Sequence, residues 1–140
     1  MSHPAIELHL KATSQAAAQA LDAIEAAARA WGITSRPLFQ IQLAVDEAIS
    51  NIVKHGYQGQ AGEIILRMGR RGKDVWIELQ DWAQPFDPTL APQPLIHRDP
   101  ETRNGGGVGL HLMHQVMDEL SYRREGEANV LHMVKRGAIP

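Results

Sequence analysis

Between Ser35 and Gly59 the chain reads SRPLFQIQLAVDEAISNIVKHGYQG, and its apolar residues recur at helical spacing. Leu38, Ile41, Val45, Ala48, Ile49, Ile52 and Val53 fall on one face, with Gln40, Glu47, Asn51, Lys54 and His55 across from it. Ser35 as a cap, Pro37 in the first turn, and Gly56 and Gly59 at the far end predict the limits of this helix. Upstream, Ala5 to Leu10 alternates, with Ile6, Leu8 and Leu10 on one side and Glu7 and His9 on the other, which predicts a short half-buried strand. Ser14 to Trp31 is Ala-rich, with Leu21, Ile24, Ala28 and Trp31 at helical spacing, Ser14 placed to cap and Gly32 to stop. Downstream, Glu63 to Arg70 and Val75 to Asp81 read as strands of a hairpin turning at Arg71-Gly72-Lys73-Asp74. A further helix over Leu110 to Met117 turns Leu110, Met113, Val116 and Met117 inward. Glu119 to Arg124 and Asn129 to Arg136 then form two more strands around Glu125-Gly126-Glu127.

The predicted order is β-α-α-β-β, an irregular stretch, then α-β-β. Consecutive strands pair as hairpins, so the fold class is α/β (α+β), a two-layer sandwich. Its sheet is mixed, largely antiparallel, with the helices on one face. At 140 residues this is a single domain with room for a hydrophobic core. An apolar content of 44% excludes a disordered chain, and a net charge of −2 argues against a general nucleic-acid binder. The absence of cysteine removes disulfides, thiolate metal sites and Cys nucleophiles, and fits a cytoplasmic protein. MSHPAIELHL lacks the basic-then-apolar pattern of a signal peptide. No apolar run approaches the ~20 residues of a membrane helix.

Chemistry enters at four places. Glu47 and Asn51 are four apart, so their side chains lie one above the other on the long helix. The Asn51 amide oxygen can ligate Mg²⁺ and Glu47 can orient or deprotonate a nucleophile; the same pair also suits a solvated helix face. Asp81 ends a strand, where a carboxylate can accept a hydrogen bond from the exocyclic amine of adenine or cap a turn. From Trp82 to Asn104 periodicity is lost, and five of the chain's eight prolines fall here, which suggests a lid. Gly105-Gly106-Gly107-Val108-Gly109 opens the next helix, as a phosphate-binding loop or as a hinge. No Lys-Ser or Lys-Thr follows these glycines, and no strand precedes them, so neither a Walker A loop nor a Rossmann fingerprint fits. His111 and His114 share a face, but the sequence places no third ligand for a zinc site. No serine sits in a nucleophile elbow.

Taken in order, DEAISNIVKHGY, DWAQPFDP and GGGVGLHLM resemble the GHKL ATPase superfamily with its Bergerat ATP-binding fold. Within it the chain is similar to the short members related to anti-sigma-factor serine kinases, and the tail MDELSYRREGEANVLHMVKR shares that likeness. The resemblance implies ATP and Mg²⁺ as cofactors, with Asn51 as the Mg²⁺ ligand, Glu47 as catalytic base and Asp81 as the adenine-reading carboxylate. It implies a phosphate-side loop at Gly105, Gly106, Gly107, Val108 and Gly109, and an ATP lid over about 82–104. It further implies a protein-serine kinase that phosphorylates a small antagonist protein, binds a sigma factor and switches partners with nucleotide state. One departure stands out. The adenine-side motif is usually Asp-x-Gly, and here it is Asp81-Trp82-Ala83. The strand at Ala5 to Leu10, if it lies at a sheet edge, offers a surface for a second copy and so a homodimer.

Overall fold

The computed structural model describes residues 3–87, 89 and 107–140, the side chains of 107–111 excepted. The elements are β1 (Ile6–Lys11), α1 (Ala16–Trp31), α2 (Ser35–Asn51), a π-helical turn (Ile52–Gly56), β2 (Glu63–Arg71) and β3 (Asp74–Asp81). After these come α3 (Gly107–Val116), β4 (Glu119–Glu125) and β5 (Ala128–Lys135). The strands form one sheet in the order β1-β2-β3-β5-β4, and every neighbouring pair is antiparallel. The last strand in the chain thus lies inside the sheet. The helices cover one face, and the expected two-layer α+β architecture is what the chain adopts.

Register explains where the core sits. Because side chains alternate across a strand, paired residues form rows on a common face. One row runs Leu8, Leu66, Leu79, Leu131 and Tyr122 across all five strands. Leu66 and Leu79 are completely buried in it, beneath Ile24 of α1 and Ile41, Val45 and Ile49 of α2. The small buried residues Ala16, Ala20 and Ala28 let α1 lie close to this layer. On the opposite face Gly69 pairs with Trp76, and a Cβ at Gly69 would stand 2.5 Å from the indole. His132 stacks beside the same ring at 6.0 Å.

Several boundaries differ from the sequence reading. Gly32 ends α1 in the left-handed conformation, φ 71°, as predicted, but the helix starts after Gln15 and Ser14 does not cap it. Ser35 is the first helical residue of α2, with Thr34 preceding it in extended conformation. The buried face of α2 is wider than predicted: Ala44 and Asn51 belong to it, whereas Ile52 is only half-buried. The reason is that α2 packs against both α1 and α3 as well as the sheet, so little of its circumference meets water. Beyond β5 the tail turns at Gly137, φ 63°, whose N–H donates to Asp74. Ala138 and Ile139 then enter the core, with Ile139 N–H donating to Lys73 O.

Candidate functional site

The next row of the sheet runs Leu10, Ile64, Asp81, Asn129 and Arg124. It is in phase with the core row, so Asp81 points to the helix side at the very end of β3. Here the helices leave a cleft enclosing about 440 Å³, its open mouth included. Ala48, Ile52, Phe86, Met113 and Leu131 give it apolar walls, and Asn51, Asp81, Gln84, Tyr122 and Asn129 bring polar groups. A mostly apolar concavity with a few convergent polar groups is the usual form of a small-molecule site.

Asp81 is 5% exposed. Its Oδ1 accepts from Ala83 N–H at 3.0 Å and from Asn129 Nδ2 at 2.8 Å. The carboxylate therefore caps a turn, the second of the two sequence readings, and the residue also lines the cleft. Burial pushes its pKa above the ordinary value, while the hydrogen bonds from Asn129 and Ala83 and the nearby Arg124 charge pull the other way. Asn51 Nδ2 donates to Glu47 O, the carbonyl one turn back, at 2.8 Å. That orients the amide with its oxygen left as the acceptor on the cleft wall, the donor type a hard cation takes.

A family model described as the histidine kinase-like ATPase domain matches residues 10–135. The chain belongs to this family. The serine/threonine-protein kinase BtrW of Bordetella bronchiseptica is 32% identical over 99% of this chain and 98% of its own. An anti-sigma F factor of Thermoanaerobacter sp. is 30% identical over 93% and 92%. The serine-protein kinase RsbW of Listeria innocua is 27% identical over 92% and 86%. Among solved structures, one of the RsbU and RsbW domains of a Mycobacterium tuberculosis protein superimposes with a TM-score of 0.66. It is 19% identical, and the match takes in 98% of this chain but 34% of that longer one, so it speaks for the fold alone.

For this histidine kinase-like ATPase domain, the Ala83 departure has a structural answer. Ala83 has no positive φ, so its methyl group brings no backbone strain. The space is made by Gly56, where a Cβ would stand 3.0 Å from that of Ala83. The π-helical turn that ends in Gly56 follows directly on Asn51; such turns gather at functional sites. Tyr57 comes next and ties the region together. Its hydroxyl donates to Glu63 O at 2.7 Å and accepts from Trp82 N–H at 2.9 Å. Gly62 leaves room for the Tyr57 ring, since a Cβ there would fall 2.2 Å from it.

The structure thus brings Asn51, Asp81 and Ala83 to one place. Glu47 lies half-buried one turn before Asn51 and is not part of the cleft wall. Gly107, Val108 and Gly109 form the first turn of α3, while Gly105 and Gly106 lie outside the described residues. So does most of the expected lid at 82–104, of which 82–87 and 89 are described. Asn129, Tyr122 and Tyr57 were missed by the sequence reading. A signal for Asn129 was present: it precedes Leu131 and Met133 at alternate positions and so shares their inward face.

Proposed function

We propose that this chain is an ATP-dependent protein-serine kinase and anti-sigma factor that phosphorylates a small antagonist protein in a partner-switching system. The observation that carries the reading is the convergence of Asn51 and Asp81, far apart in sequence, on one apolar cleft. The near full-length likeness to BtrW, an anti-sigma F factor and RsbW supports the kinase and partner roles. In this reading Asp81 accepts the exocyclic amine of adenine, and Asn51 offers its amide oxygen to Mg²⁺. Bound Mg²⁺ would neutralise charge on the phosphates. The glycine run at 105–109 contributes backbone N–H groups on the phosphate side, and the segment 82–104 closes over the nucleotide. The serine oxygen of the antagonist attacks the γ-phosphorus, its proton passes to the Glu47 carboxylate, and the bond to ADP breaks. The cytoplasm, where sigma factors act, is the place for this work.

Glu47→Ala is the decisive variant. Phosphorylation of the antagonist should fall by ~10²–10⁴, while ATP affinity and partner capture stay near the unmodified level. Transfer of radiolabel from ATP, with the antagonist identified by pull-down, measures it; full activity in the variant would place the base elsewhere. Should the unmodified protein bind ATP and partner yet transfer no label, it is a nucleotide-responsive binding module. Among the described residues β1 pairs only with β2, so its outer edge can also receive a second copy. Sedimentation should then report a dimer, and a monomer at all concentrations would refute it.

A further inference from the structure

Asn129 has no hydrogen-bonding capacity left for a ligand. Its Oδ1 accepts from the Tyr122 hydroxyl at 2.5 Å and from Arg124 Nη1 at 2.9 Å. Its Nδ2 donates to Asp81 Oδ1 at 2.8 Å and to Ala83 O at 3.1 Å. The orientation is enforced, because Arg124 can only donate and Ala83 O can only accept; a flipped amide would oppose like groups at both ends. We infer that Tyr122, Arg124 and Asn129 form a brace that sets base specificity by pinning one oxygen of Asp81 and leaving the other to meet the ligand.

The inference rests on the ATP-site reading above and deepens it. With two N–H donors on Oδ1, the carboxylate plane is fixed and any proton is excluded from that oxygen. Oδ2 then serves as an acceptor at the cleft. Adenine offers a donor amine where guanine carries the acceptor O6, so an acceptor held there discriminates between them. If the brace is lost, the carboxylate turns more freely and takes a proton more readily on Oδ2. It can then donate to O6, and the preference weakens. Among the described residues, the charged and titratable groups facing Asp81 are Arg124 and Tyr122 from β4 and Tyr57 after the π-helical turn. Among the described side chains the helices contribute Ala48, Asn51, Ile52 and Met113 to this wall, none of them charged. Arg124 Nη1 also reaches Ala83 O at 3.3 Å, so the brace grips the first residues after Asp81 as well.

The test is the ratio of ATP to GTP affinity, measured by calorimetry on the full chain at pH 6 and pH 8. The unmodified protein should prefer ATP at both. Asn129→Leu, similar in size but without donors, should lose at least about tenfold of that ratio, since the discrimination depends on a placed hydrogen bond. Arg124→Gln changes an exposed residue and guards against failure of the first variant to fold. It should lower the ratio by a smaller factor, and more at pH 6 than at pH 8. A role in structure alone would weaken both nucleotides alike. If the unmodified protein prefers ATP and the folded variants keep its ratio at both pH values, the brace is refuted and the ATP site stands. If the unmodified protein binds neither nucleotide, the ATP reading falls and the brace falls with it.

Discussion

Asp81 carries its carboxylate into a place where burial opposes the charge. Its folded-state pKa is raised, chiefly by burial, above the ordinary 3.8. A native state with the higher pKa holds the proton over a window above that value in which the unfolded chain has released it. The contribution of Asp81 to stability therefore declines as pH rises through that window, and at neutral pH the buried charge is a net cost. Asp81→Asn removes the charge and keeps an oxygen for Ala83 N–H and Asn129. The variant should unfold at a urea midpoint equal to or above that of the unmodified protein at pH 7. Its ATP affinity should fall at least about tenfold, because one placed acceptor is lost or weakened. A lower midpoint would mean that hydrogen bonding to the carboxylate outweighs burial. The residue itself was legible as a carboxylate at a strand end. Its pairing with Asn129 was not, because the two lie 48 residues apart and only the inner position of β5 brings them together.

The long helix shows what periodicity can and cannot reveal. Ile41, Val45, Ala48 and Ile49 were placed inward by their spacing and are buried. Ile49→Ala should cost ~2–5 kcal/mol in urea unfolding, the range for opening a cavity in a packed core. Ile52→Ala should cost less, because its side chain is half-buried on an open cleft and its loss encloses no void. Equal costs would contradict this division. The π-helical turn left no mark in the sequence, since one widened turn does not alter the residue types on each face. Asn51 was misplaced for a related reason. A polar residue on the far side of an apolar stripe reads as solvated, yet Asn51 is buried and lines the cleft.

At the scale of the molecule, the cleft joins the helical layer to the ends of β3 and β5, so a ligand seated there touches both layers. ATP at about a hundred times its Kd should stabilise the fold by ~2.7 kcal/mol, which raises Tm by several degrees in a domain of this size. GTP should do markedly less at the same concentration. Thermal scans with each nucleotide check this, and equal shifts would remove the adenine-reading role of Asp81. The two-layer arrangement was legible because strand alternation and helix spacing are strong local signals. The strand order was not, because no local pattern says which strand will be inserted between which.

That insertion also imposes an order in time. A growing chain leaves the ribosome from its first residue, so β3 is available well before its neighbour β5, which is made only after α3 and β4. Until then one edge of β3 stays open, and the row containing Asp81 lacks Asn129. A nascent chain that holds β1, β2, β3 and the first two helices still has only part of the cleft wall. A chain interrupted before β5 would thus present a sheet with a sticky flank, and the Asp81 carboxylate would lack the amide that holds it.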